Sequence, residues 1–329
     1  MKAAIIILLA SRAAFAGAGA SSMPSLEVDA SARAMALGGA YTAVGDDSVS
    51  LFYNPAGIAR LPRSDVSLTH TEWISGIKSE YGSAAFPVGN DVTLGCALNL
   101  FTISPMDRTD ASGNTTGSFG AGESSFMAAA AKNIGLNFAV GAAVKYMRQS
   151  VDDAVASGSA IDLGVMGFFG HLRLGAALQN VGPGMAVGDM TFSLPLTKRV
   201  GASLKLGEYL MAVGDYVESS SASGARAGLE YAVRNSFSQW DRLLLRAGWQ
   251  AEGAGSSGST GQFALGAGYE RPNWRVDYGF APCGDLGNAQ RISFMYRFGD
   301  LRNTSRSSPS KIKKAGKWMM SDEYDLEDE

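Results

Sequence analysis

From residue 64 onward the chain alternates, and the alternation collects charge on one side of successive segments. In residues 224–234, Ala225, Ala227, Leu229, Tyr231 and Val233 share one face, and Arg226, Gly228, Glu230, Ala232 and Arg234 share the other. Leu243, Leu245, Ala247 and Trp249 oppose Arg242, Leu244, Arg246 and Gln250. Val276, Tyr278 and Phe280 oppose Arg275 and Asp277, and Ile292, Phe294, Tyr296 and Phe298 oppose Arg291, Ser293 and Arg297. A period of two marks a β-strand with unlike faces. An arginine on a lipid face near the bilayer midplane costs about 2–4 kcal/mol. If the apolar faces meet lipid, then Arg226, Glu230, Arg246, Arg275, Asp277 and Arg291 must face a wet or paired interior. Trp249, Tyr269, Trp274, Tyr296 and Phe298 fall near segment ends, where an interfacial aromatic girdle belongs.

Alternating segments continue from residue 64 to residue 298, separated in turn by tight turns and longer polar loops. Residues 104–122, 149–158 and 181–197 read as long loops. The tally is about fourteen strands, an even number, as bacterial membrane barrels have. The fold expected is all-β: a transmembrane antiparallel barrel over residues 64–298. A soluble β-sandwich also alternates, but here its outward residues would be too apolar for water, segment after segment.

The compartment follows from the start of the chain. Lys2 precedes a short apolar run over residues 3–10, and Ala14-Phe15-Ala16 fits a small-residue cleavage site. Residues 1–16 are expected to be a signal peptide, cut after Ala16 or, at a second candidate site, after Ala20. A buried N-terminal helix is the alternative. No later run reaches the roughly 18 apolar residues a spanning helix needs, so entry into a membrane would be as a barrel. The net charge of −3 gives no sign of nucleic-acid binding.

Catalytic chemistry has no visible footing. The two histidines, His70 and His171, have no cysteine or carboxylate cluster near them in sequence. Cys96 and Cys283 make neither a metal-ligand spacing nor a disulfide framework. No nucleophile elbow, metalloprotease helix or phosphate loop occurs. No enzyme activity, metal or cofactor is expected.

Ahead of the strands, residues 17–63 break the pattern. Residues 32–37 carry helix formers, Gly38-Gly39 ends them, Gly45-Asp46-Asp47 turns, and Asn54-Pro55 starts another turn. A kinked, small-residue segment of this kind is what a luminal plug would need. Asp46 and Asp47 could bind a cation; the favoured reading is that they cap the next short segment or pair with luminal arginines.

The run from Gly38-Gly39 to Asp46-Asp47, followed by Asn54-Pro55-Ala56-Gly57, resembles the N-terminal signature of PorV/PorQ-type outer-membrane proteins, within the FadL-like barrel superfamily. Gln179-Asn180-Val181-Gly182-Pro183, Leu194-Pro195-Leu196 and Arg199-Val200-Gly201-Ala202 make a second, weaker match. The resemblance implies a Gram-negative outer-membrane barrel, with Gly38, Gly39, Asp46, Asp47, Asn54, Pro55, Ala56 and Gly57 in an N-terminal hatch. It implies a part in protein secretion or surface attachment, as in type IX secretion, with exported proteins or secretion components as partners beside outer-membrane lipid. A FadL-like transporter of hydrophobic small molecules is the alternative. Residues 299–329, basic and then acidic, are expected to be a disordered periplasmic tail that is simply solvated or docks a periplasmic partner.

Overall fold

The computed structural model describes residues 21–73, 76–187, 190–219, 223–233, 241–251, 262–284 and 287–302. The signal-peptide reading, and the tail beyond residue 302, fall outside them.

The wall begins with β1 (Ser64–Glu72), β2 (Lys78–Val88), β3 (Val92–Thr109) and β4 (Thr115–Ile134). It continues through β5 (Phe138–Val151), β6 (Ala154–Phe169) and β7 (Leu172–Val181). A small hairpin, β8 (Met185–Val187) and β9 (Met190–Phe192), interrupts it. The remaining strands are β10 (Thr197–Leu206), β11 (Leu210–Glu218), β12 (Ser223–Val233), β13 (Arg242–Gln250), β14 (Gln262–Glu270), β15 (Trp274–Pro282) and β16 (Asn288–Phe298). Without the hairpin, fourteen strands close an antiparallel barrel in which each pairs with its neighbour in sequence. β1 completes the ring against β16, with Ser64 opposite Phe298. Closure removes every edge and satisfies the backbone internally, which hydrocarbon demands.

The faces separate as the alternation predicts. Leu98, Phe126, Val144, Leu163, Leu229, Leu245 and Ile292 point outward and are exposed, while Asp162, Asp215, Arg246, Arg275, Asp277 and Arg291 point inward and are buried. The mouth where β1 begins and β16 ends is here called the near mouth. Its outer rim is aromatic: Tyr269 and Trp274 lie 5.5 Å apart, Tyr296 and Phe298 6.2 Å, and Phe138 and Phe169 5.8 Å. Short turns join β2 to β3, β4 to β5, β6 to β7, β10 to β11 and β14 to β15 there, as at a periplasmic rim.

At the far mouth the expectation of long loops needs correcting. Residues 104–109 and 115–122 are strand, joined by a turn at 110–114, and β5 and β6 run on to a turn at residues 152–153. The β3 and β4 extensions stand beyond the apolar band with both faces largely exposed. A strand bathed in water on both sides has no reason to alternate, so its polar composition resembles a loop's. Residues 181–197 likewise hold the β8–β9 hairpin, tucked inward so that Met185 meets the inner face of β6 at Gly158.

The N-terminal segment runs through this cylinder. It comprises a 3-10 turn (Pro24–Glu27), α1 (Ala32–Ala36), α2 (Ser50–Tyr53) and a second 3-10 turn (Pro55–Arg60). Almost every residue from 30 to 61 is buried. It starts at the far mouth, where the Ser22 amide donates to the Ser193 carbonyl at 3.0 Å. It leaves at the near mouth to become β1. Tyr41, Tyr53, Leu51 and Ile58 form the centre of a core whose outer members are inward alanines of the wall.

Candidate functional site

The site is the interface between this luminal segment and the wall. Close approach comes first. A Cβ on Gly228 would sit 2.6 Å from the Leu37 carbonyl oxygen, and one on Gly279 would sit 2.7 Å from that of Ala32. At Gly141, Gly175 and Gly248 it would run into the backbone at Pro55–Ala56, Thr42 and Leu37–Gly38. The wall thus carries bare backbone where the segment presses against it. On the segment's side, Gly38 and Gly39 hold φ of 67° and 73°, a region that side chains disfavour, so the chain turns sharply out of α1.

Hydrogen bonds then pin the segment strand by strand. The Ser31 hydroxyl accepts the Ala34 amide at 3.1 Å and caps α1. The Ser293 hydroxyl on β16 accepts the Ala32 amide at 2.9 Å. Asp215 on β11 accepts the amides of Tyr41 and Thr42, both at 2.9 Å, and the Thr42 hydroxyl at 2.6 Å. Asp65 accepts the Ser48 amide at 3.0 Å. Asn54 Nδ2 donates to the carbonyls of Thr42 (3.0 Å) and Val165 (3.1 Å), while its Oδ1 accepts the Ala56 amide at 3.0 Å. Gln179 donates to the Phe52 carbonyl at 2.6 Å.

Ion pairs complete the grip. Arg33 of α1 lies 2.7 Å from Glu230 and 3.3 Å from Asp47. Asp47 lies 2.9 Å from Arg275, which lies 2.7 Å from Asp277. Arg246 closes the circuit, 2.8 Å from Asp277 and 2.6 Å from Glu230. Cations and anions alternate around it. Asp46 adds a further contact to Arg33 at 2.6 Å, and the Tyr41 hydroxyl donates to Asp47 at 2.6 Å. Paired in this way the buried charges offset one another's desolvation, and removing one strands its partner. Every carboxylate in the circuit is held by guanidinium groups, so none stands ready as a general base. The arrangement holds the segment in place.

The residues singled out from the sequence distribute as follows. Gly38 and Gly39 lie against β12 and β13. Asp46 and Asp47 join the circuit, as do Glu230, Arg246, Arg275 and Asp277. Asn54 caps the second 3-10 turn, Pro55 opens it, and Ala56 and Gly57 lie within it. Gly57 lets that turn close on α2, since a Cβ there would sit 2.7 Å from that of Ser50. Arg226 lies beside Asp29 at 3.7 Å. Arg291 stands apart from the circuit and donates to the Thr71 hydroxyl at 3.1 Å. Sequence reading missed Arg33, Asp65 and Asp215. Strand parity would have placed the two aspartates inside; nothing marks Arg33. Among the described residues no group of His, Cys, Asp and Glu is arranged to hold a metal ion.

A closed fourteen-stranded barrel with its N-terminal chain threaded through the lumen is similar in fold to solved channels of the FadL kind. Several hydrocarbon channels are among the solved structures that resemble it. The monoaromatic hydrocarbon channel CymD matches with a TM-score of 0.60 and 13% identity, over 84% of this chain and 99% of its own. The Ralstonia pickettii toluene transporter TbuX matches with a TM-score of 0.56 and 14% identity, over 82% and 98%. A Pseudomonas aeruginosa FadL homologue gives a TM-score of 0.55 and 11% identity, over 82% and 98%. At such identity the likeness is one of fold. In sequence, residues 9–159 match an uncharacterised protein family, UPF0164. No curated protein matches the chain.

Proposed function

We propose that the protein is an outer-membrane channel for small hydrophobic molecules, with residues 17–63 as its plug, residues 64–298 as its barrel and residues 299–329 as a periplasmic tail. Residues 1–16 would be the export signal. The observation that carries the reading is the apolar cluster inside the far mouth. There Met23 and Leu26 of the plug pack with Met147, Ala156, Ala160, Met185 and Leu194. Flexible thioethers re-pack around varied apolar shapes, so a hydrophobic solute arriving from outside can replace contacts that the plug now makes with the wall. The fold likeness to hydrocarbon channels supports the same reading. The test is uptake of a labelled monoaromatic hydrocarbon by Gram-negative cells with an intact outer membrane, with and without the protein. Equal uptake would overturn it.

A second reading is export of proteins, in the PorV/PorQ manner, with secreted cargo or secretion components as partners. The Asn54-Pro55-Ala56-Gly57 motif favours it, and so does the circuit of paired charges that fixes the segment to the wall. Detergent pull-down separates the two: co-purified secreted protein supports export, and lipid alone counts against it.

A further inference from the structure

Beyond β16 the chain turns back across the near mouth. Gly299 holds φ of 81°, and the Arg302 amide donates to the Pro62 carbonyl at 2.8 Å. The Arg302 side chain then enters the rim. Its Nε donates to the Gly89 carbonyl at 3.0 Å, Nη1 to the Ala59 carbonyl at 2.6 Å, and Nη2 to the Thr93 hydroxyl at 3.0 Å and to the Val92 carbonyl. All three nitrogens are engaged, and every acceptor is uncharged. The acceptors come from separate stretches: the last turn of the luminal segment, the β2–β3 turn and the start of β3. Ala59 is where they converge, since its carbonyl also accepts from Asn133 Nδ2 at 3.1 Å. The neighbouring Arg60 reaches the opposite way, donating to the Leu136 carbonyl at 2.6 Å and stacking 3.8 Å over the Phe168 ring.

We infer that Arg302 is a latch: it ties the chain leaving the barrel to the last turn of the luminal segment, so that withdrawing Arg302 from the near side frees that turn. A guanidinium suits the task, because its planar fork gathers several carbonyls at once where an ammonium would satisfy fewer. Burial lowers the Arg302 pKa, and with no carboxylate among its hydrogen-bond acceptors the grip is one of geometry. The latch governs transport only if the segment is the plug proposed above; as a clasp it is tested without reference to any solute.

The test places a single cysteine at Ala59, which is fully buried, in a chain carrying Cys96→Ala and Cys283→Ala. Maleimide labelling from the near side is timed on protein that keeps the gel mobility of a folded barrel. Arg302→Ala should speed labelling about tenfold or more, the factor that a loss of about 1.4 kcal/mol produces. Arg302→Lys should fall between it and the parent. A truncation pair gives a second measure: the chain ending at Arg302 should label like the full chain, and the one ending at Leu301 like Arg302→Ala. Equal rates across either comparison would overturn the latch. Faster labelling without hydrocarbon uptake would keep the latch and remove the transport reading.

Discussion

Asp47 and Arg275 meet at 2.9 Å inside the barrel although 228 residues separate them in sequence. One belongs to the luminal segment and the other to the wall, and their pairing joins the two halves of the circuit: Asp47 also lies 3.3 Å from Arg33, and Arg275 lies 2.7 Å from Asp277. The Asp47 side chain is 0% exposed and that of Arg275 5%. Arg275→Met should therefore destabilise the protein by about 3–5 kcal/mol, the usual consequence of stranding a buried charge. Adding Asp47→Asn should recover part of that loss. Urea unfolding in detergent micelles, followed by gel mobility, measures both.

Gly248→Val would put a side chain where the backbone of Leu37 and Gly38 now lies. Overpacking costs about 1–3 kcal/mol when neighbours can shift, and here the readiest shift is displacement of the segment. The variant should raise single-channel conductance in planar bilayers. Ala247→Val, one residue away on the outward face, should leave conductance at the parent level.

Asp215 separates geometry from charge. Three donors of the segment converge on one of its carboxylate oxygens. Asp215→Asn keeps an acceptor there, whereas Asp215→Ala leaves all three donors dry, at about 1–3 kcal/mol for each buried orphan. Alanine should lower the thermal midpoint far more than asparagine, and the gap closes if the lumen is wetter than its packing indicates.

Asn54→Ala removes a cap and two donated hydrogen bonds together. A lost cap alone is worth about 0.5–2 kcal/mol. The variant should loosen the second 3-10 turn and increase leakage of small solutes from liposomes. Unchanged leakage would mean that Asn54 contributes to folding only.

Parity carried the reading of the wall. It set Arg246 and Asp277 inside and Leu245 and Tyr278 outside, because a strand between lipid and lumen must alternate. The same rule is silent where its cause is missing. Above the membrane band, residues 104–122 lie in water on both faces, so pairing leaves no periodic mark. Within the lumen, Arg33 meets Glu230 across 197 positions, a contact made by the path of the segment and by no local pattern. Arg302 escapes notice for a related reason: it comes after the last alternating residue, and its partners are backbone carbonyls, which every sequence possesses.

The described chain begins near Ser193 at one mouth and ends on Ala59 and Gly89 at the other. On the outer-membrane reading proposed above, with the short turns facing the periplasm, a reporter peptide grafted just ahead of Ser21 should emerge on the cell exterior. On the same reading, one appended past Arg302 should stay in the periplasm. The two junctions offer opposite addresses for display without disturbing a single strand connection.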